Sequence, residues 1–160
     1  MKTIIVYYSM SGNTELAAQR LAAALGAELL RLEPEKAYPD KGFKKFFWGG
    51  KSAVMAEAPS LRPYAFDAAQ YDRVILGFPV WAGRYAPPIR SFLRDHGAAL
   101  TGKRVAAFAC QSGAGAEKAF AKLEETLGRR LDATLVLIDP KDKPAPANEE
   151  KLSAFGGKCG

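Results

Sequence analysis

The chain has 160 residues, 48% of them hydrophobic, with 23 basic and 17 acidic residues and a formal net charge of +6. This length is typical of one domain around one core, so we expect a single domain over residues 1–160. Because no apolar run could span a bilayer and no charged-then-apolar leader follows Met1, we expect a cytoplasmic protein without membrane insertion.

The first predicted strand ends in a turn rich in hydroxyl groups. Its apolar run at residues 4–8 stops abruptly, and a helical pattern begins at residue 13. The turn consists of Ser9, Met10, Ser11, Gly12, Asn13 and Thr14. Hydroxyl groups, the close approach that a glycine permits and the free N–H groups of a helix start together predict a phosphate site. The same residue types also form ordinary helix N-caps, so the turn alone leaves both interpretations open.

The composition of this turn also limits the kind of phosphate ligand. No cation lies within it, so hydrogen bonds and the helix dipole would hold the phosphate without a salt bridge. This arrangement suits a permanently retained monoester. The turn lacks the Gly-Lys-Ser/Thr ending of a nucleoside triphosphatase loop and the GxGxxG pattern of a dinucleotide site.

Short apolar strands alternate with helices along the rest of the chain. Strands buried on both faces and separated by helices indicate right-handed crossovers and a parallel sheet. The predicted fold is therefore a doubly wound three-layer α/β sandwich with a five-stranded parallel sheet. After the first strand we predict strands at residues 27–32, 73–77, 104–110 and 133–138, and helices at residues 13–25, 87–95, 116–127 and 148–155.

The segment at residues 33–71 interrupts this alternation. It is too rich in aromatic residues for a disordered linker, and we expect residues 43–57 to be partly helical with a break at Gly49-Gly50. Packing against the sheet is the expected role of its aromatic side chains.

The remaining titratable residues exclude several kinds of site. Cys110 and Cys159 share no metal-ligand spacing, so we expect free thiols and no metal site. His96 is the only histidine, and we expect a solvated or capping role for it near a helix end, which excludes Ser–His and Cys–His catalysis. The basic residues do not cluster strongly, so we expect a solvated basic face and no nucleic acid partner.

Two further loops follow strands of the predicted sheet, and a ligand of an open parallel sheet lies at the carboxyl ends of such strands. The loop after the third strand offers an aromatic surface beside small residues, namely Pro79, Val80, Trp81, Ala82 and Gly83. The loop after the fourth offers backbone amides with little side-chain bulk, at Cys110, Ser112, Gly113 and Gly115. Together with the hydroxyl-rich turn, these loops predict a site for a planar ring that carries one phosphate, a description that fits FMN.

The chain resembles the flavodoxin family over nearly its whole length, and these three loops are the motifs that carry the resemblance. The resemblance implies FMN as the cofactor and the strand order 2-1-3-4-5 that is known for flavodoxin. It implies that Ser9, Ser11, Gly12, Asn13 and Thr14 hold the phosphate, with Met10 in the same turn. It further implies that Pro79, Val80, Trp81, Ala82 and Gly83 border the ring, with Trp81 stacked on it, and that Cys110, Ser112, Gly113 and Gly115 line its pyrimidine side.

The three loops contain no strong acid, base or nucleophile, so we expect no catalytic residue and any reaction would be that of the flavin. We favour a flavodoxin-type electron-transfer protein, a monomer or weak dimer, that shuttles electrons between redox partner proteins. Electron-carrying flavodoxins are typically acidic, and the net charge of +6 departs from that pattern. The alternative is an FMN-dependent NAD(P)H oxidoreductase with a small-molecule acceptor such as a quinone, in a cleft walled by residues 37–66. No nicotinamide-recognition motif favours it.

Overall fold

Apolar runs form strands and amphipathic segments form helices in the order that the sequence predicts. The computed structural model describes residues 1–38 and 58–159. The strands are β1 (Thr3–Tyr7), β2 (Glu28–Arg31), β3 (Arg73–Trp81), β4 (Arg84–Tyr85), β5 (Arg104–Gln111) and β6 (Thr134–Ile138). The helices are α1 (Asn13–Leu25), α2 (Pro87–His96), α3 (Ala116–Leu127) and α4 (Ala147–Cys159), with short 3-10 helices at Ala68–Gln70 and Gly97–Leu100.

Within the described residues, the parallel strands form one sheet in the order β2-β1-β3-β5-β6, and β4 pairs only with β3. Ile5 of β1, for example, pairs with Leu29 of β2 and with Ile75 of β3. Without β4, this is the predicted order 2-1-3-4-5, so the parallel sheet of the doubly wound fold is confirmed. The carboxyl ends of all five parallel strands consequently reach the same edge.

The third strand is longer than predicted. We expected it to end at Gly77, but β3 continues to Trp81 and pairs antiparallel with β4. The reason is a two-residue hairpin turn, in which Ala82 and Gly83 both have positive φ angles, 51° and 72°. Such turns match the twist of the strands that they join. The predicted loop is therefore mainly a β-hairpin that projects beyond the sheet.

The core has two apolar clusters, one on each face of the sheet. Because side chains alternate along a strand, Ile5 packs with Leu21 of α1 and Phe155 of α4, whereas Val6 packs in the cluster that contains Phe92 of α2. Helix α4 extends past the predicted end at residue 155, since Cys159 is also buried against this face. The predicted three layers are thus present.

The aromatic residues of the segment before β3 pack as expected where the structure describes them. Phe66 lies 5.0 Å from the ring of Phe92, and Tyr64 also contacts Phe92. His96, the last residue of α2, lies 5.0 Å from Phe66 in the same cluster and remains partly exposed. The predicted helix at residues 43–57 and the Gly49-Gly50 break lie outside the described residues.

Two further observations concern the described residues alone. Cys110 and Cys159 are both free and buried, and residues 1–38 and 58–159 contain no cluster of His, Cys, Asp or Glu that could hold a metal ion. No helix in this part of the chain combines the length and the apolar character that a membrane crossing requires.

Gly77 makes room for the Phe108 ring in the centre of the sheet. A Cβ atom on Gly77 would stand 2.6 Å from Cε1 and 2.8 Å from Cε2 of Phe108, which is fully buried. We expect Gly77→Ala to lower the free energy of unfolding by about 2 kcal/mol, as overpacked core substitutions do. Urea denaturation measures this loss.

Gly97→Ala provides the matched control. Its added Cβ would meet the Leu93 Cβ at 3.8 Å, an ordinary contact, so stability should change by no more than about 0.5 kcal/mol. Equal stabilities of the two variants would contradict the packing argument, because the Phe108 ring would then have moved without cost.

Candidate functional site

A cleft opens at the carboxyl edge of the sheet, between the turn after β1, the hairpin end of β3 and the loop after β5. It is lined by Ser9, Met10, Ser11, Asn13, Thr14, Pro79, Val80, Trp81, Cys110, Ser112, Asp139 and Asp142. Most of the predicted site residues are therefore brought together. The predicted residues that do not line it are Gly12, Ala82, Gly83, Gly113 and Gly115.

The side chain of Ser9 shapes the turn after β1. Its Oγ accepts hydrogen bonds from the amide of Gly12 at 3.2 Å and from the amide of Glu15 at 3.1 Å. Gly12 has a φ angle of 100°, which L-residues rarely adopt, and it directly precedes α1. The Ser9 oxygen thus caps the helix, and its hydroxyl proton is available for another acceptor.

The start of α1 presents two backbone donors that have no acceptor among the described residues, the amides of Asn13 and Thr14. The first α1 bond within the backbone runs from the Leu16 amide to the Gly12 carbonyl. Free amides at a helix N-terminus, together with the helix dipole, favour an anion. Because both residues line the cleft, this amide pair can hold an anionic group there.

Cys110 lies behind this turn at the end of β5. Burial raises the pKa of its thiol to about 12, while a hydrogen bond from Thr14 acts in the opposite direction. The thiol is therefore neutral near pH 7 and is a poor nucleophile. Thr14 and Cys110 both line the cleft at this point.

Asn13 connects the turn to the loop after β6, residues 139–143, which we call the β6 loop. Its Oδ1 accepts hydrogen bonds from the amides of Lys141 at 2.8 Å and Asp142 at 3.2 Å. Its Nδ2 donates to Oδ2 of Asp142 at 3.0 Å and to Oγ of Ser11 at 3.4 Å. The Asn13 side chain thus joins two walls of the cleft, and its backbone amide is the group that it presents to a ligand.

The sequence analysis missed the β6 loop, although Asp139 and Asp142 line the cleft. Oγ of Ser112 donates to Oδ1 of Asp139 at 3.2 Å, so this loop also contacts the loop after β5. The predicted parallel sheet could have identified this loop, because its last strand ends at the same edge as the others. The predicted site used only the loops after the first, third and fourth predicted strands.

Trp81 forms the aromatic wall of the cleft. Its ring packs edge to face against Tyr8 at 5.8 Å and Tyr38 at 5.2 Å between centroids. The indole is therefore packed against the protein itself on this side. Contacts of this type are favourable and hold the indole in one orientation while it still borders the cleft.

The hairpin and the loop after β5 contact each other through their glycines. A Cβ on Gly115, whose φ angle is 108°, would lie 3.2 Å from the Cα of Gly83 and 3.1 Å from Cγ1 of Val80. Gln111, another residue that the sequence analysis missed, shapes the same loop by accepting from the Ala116 amide at 2.9 Å. The glycines thus set the distance between the two loops rather than line the cleft.

The sequence and the fold both match known proteins. A family model described as Flavodoxin matches residues 2–137. Among solved structures, a provisionally assigned flavoprotein from Bacteroides uniformis aligns with a TM-score of 0.78 and 22% identity, covering 96% of this chain and 97% of that one. A Lactobacillus acidophilus flavoprotein in complex with FMN aligns with a TM-score of 0.73 and 22% identity, covering 94% and 97%.

A more distant match is the two-electron reduced flavodoxin of Megasphaera elsdenii. It aligns with a TM-score of 0.61 and 19% identity, over 98% of this chain and 96% of that one. At such identities, these structures establish the shared fold.

The Asn13 hydrogen bonds generate a prediction about the β6 loop. Asn13→Ala removes the acceptor of two backbone amides, and we expect the free energy of unfolding to fall by roughly 2 kcal/mol. Hydrogen exchange at the amides of Lys141 and Asp142 should accelerate. Exchange at Ala119, which donates to the Gly115 carbonyl at the start of α3, should change only with global stability. Unchanged protection of the two loop amides would contradict the assigned connection.

Proposed function

This chain belongs to the flavodoxin family, and from that premise we propose that it binds FMN in the cleft and acts as an electron-transfer protein. The observation that carries the proposal is the combination of two features in one cleft. The free amide pair of Asn13 and Thr14 suits a phosphate, and the oriented indole of Trp81 suits a planar ring.

The phosphate end of the cleft fits a monoester. Two backbone donors, the Ser11 hydroxyl and the dipole of α1 converge there, and each favours an anion. The carboxylate of Asp142, which accepts a hydrogen bond from Asn13, lines the same cleft. In our proposal Ser9, Ser11, Asn13 and Thr14 supply the phosphate contacts, and Gly12 lets the turn close around it.

The ring end of the cleft fits a flat heterocycle. Pro79, Val80 and Trp81 provide an apolar wall, and the loop at residues 112–115 brings backbone groups close with little side-chain bulk. The direct packing of Gly115 on Gly83 determines how far apart these walls stand. We propose that the isoalloxazine lies between them.

The chain's own residues contribute binding and orientation. Bound FMN would supply the redox chemistry by accepting and releasing electrons. The Cys110 thiol is neutral and buried, and the carboxylates of Asp139 and Asp142 are hydrogen-bonded to Ser112 and Asn13. We therefore assign no catalytic residue, and a carrier that presents the flavin to a partner is the function best supported.

The net charge supports a particular class of partner. A formal charge of +6 attracts acidic surfaces and repels basic ones, and such complementarity raises association rates. We propose acidic redox proteins as the partners of this carrier and a cytoplasmic location for the exchange.

Replacement of Trp81 tests the ring end. We expect Trp81→Ala to weaken FMN and riboflavin by similar factors, about tenfold, because both ligands share the ring and stacking contributes about 1 kcal/mol or more. Titration of the full chain with each flavin, followed by quenching of flavin fluorescence, measures both affinities. Trp81→Phe retains an aromatic face and serves as the matched control. If the alanine variant binds both flavins as the wild type does, Trp81 does not contact the ring.

Reduction by nicotinamide nucleotides distinguishes a carrier from an enzyme. For a carrier, we expect NADPH or NADH to leave the visible flavin absorbance of the FMN-loaded protein unchanged over minutes, while dithionite bleaches it at once. Rapid bleaching by NAD(P)H with turnover on a quinone would instead identify an FMN-dependent NAD(P)H oxidoreductase.

A further inference from the structure

A lysine from the β6 loop lies across the turn that the amide pair belongs to. Nζ of Lys141 donates to the carbonyl of Ser11 at 2.9 Å, and its Cδ lies 2.9 Å from the point where a Cβ of Gly12 would stand. The turn itself contains no cation, and we expected a phosphate there to be bound without one. The folded chain, however, brings an ammonium group to the turn from a distant segment.

The position of Lys141 is determined by backbone hydrogen bonds rather than by its own flexible side chain. Its amide and that of Asp142 both donate to Oδ1 of Asn13, the first residue of α1. The amide of Lys143 donates to the carbonyl of Asp139, which closes the loop on itself. The base of the lysine side chain is thus held next to the start of the helix.

The surrounding charges leave the ammonium able to act on an anion. Among the described residues, Nζ of Lys141 forms an ion pair with one carboxylate, Oδ1 of Asp142 at 3.7 Å, and the lysine side chain is 53% exposed. Arg31 also touches the turn, through the carbonyl of Ser9, but it is paired with Glu15 at 2.6 Å and Glu33 at 3.6 Å. Of these two cations, Lys141 is the less neutralised.

We propose that Lys141 determines specificity for a phosphorylated flavin, because its ammonium stabilises the phosphate charge beside the amide pair of Asn13 and Thr14. This inference rests on the proposed function, since it concerns the same cleft. It goes beyond that function by assigning the preference for FMN over riboflavin to an electrostatic contact supplied by the β6 loop.

The charge of the Lys141 ammonium group and the packing of its aliphatic stem over Gly12 can be tested separately. Lys141→Met keeps an apolar stem over Gly12 and removes the charge, and Lys141→Arg keeps the charge. Lys158→Gln makes the same change in net charge at an exposed residue near the opposite edge of the sheet, beside Arg73 and Arg104. The full chain, freed of any bound flavin, is titrated with FMN and with riboflavin at low and high salt.

We expect Lys141→Met to raise the Kd for FMN roughly fivefold at low salt and to leave the Kd for riboflavin within about twofold. The salt dependence of FMN binding should decrease in this variant. Lys141→Arg and Lys158→Gln should bind both flavins as the wild type does.

Other outcomes overturn the inference. Equal weakening of both flavins by Lys141→Met would assign the lysine a purely structural role, and unchanged FMN binding would show that the ammonium does not act on the phosphate. If the wild type binds FMN and riboflavin equally well, the inference fails while flavin binding stands. If it binds neither flavin, the proposed function itself fails and the inference falls with it.

Discussion

The parallel pairing of the central strands is the constraint on which the cleft depends. Since β1, β3, β5 and β6 run in the same direction, the turns that follow them all reach one edge of the sheet. Residues far apart in the chain then meet, as Asn13 and Asp142 do across 129 positions. Gly77 contributes to this parallel pairing. Because it has no side chain, the Phe108 ring fits beside it and β3 and β5 can pair closely.

The cleft is largely preorganised by contacts among its own residues. Its polar groups are largely engaged with one another before any ligand is present, as in the hydrogen bonds of Ser9 to the start of α1 and of Ser112 to Asp139. Trp81 is likewise held by Tyr8 and Tyr38. Preorganisation of this kind reduces the entropy that is lost when a ligand binds.

The overall charge of the chain does not describe the charge of the cleft. Although the formal net charge is +6, the β6 loop brings two carboxylates, Asp139 and Asp142, to the lining and one ammonium, that of Lys141, to the adjoining turn. Interactions at a few ångströms are set by these individual groups, whereas the net charge acts on partners at longer range. Individual charged groups can therefore govern binding in the cleft, while the net charge of the protein governs its attraction to partners.

The resemblance to the flavodoxin family implied the strand order, and the sequence by itself determined the fold class and most of the cleft lining. Local patterns carry this information, because buried strands, helix starts and glycine-rich loops each have a characteristic composition over a few residues. Only the tertiary structure decided that Trp81 packs on Tyr8 and Tyr38, that Asn13 binds the β6 loop and that Lys141 lies over Gly12. These contacts join residues whose separation along the chain leaves no local pattern, so they emerge only when the packed sheet brings their side chains within reach.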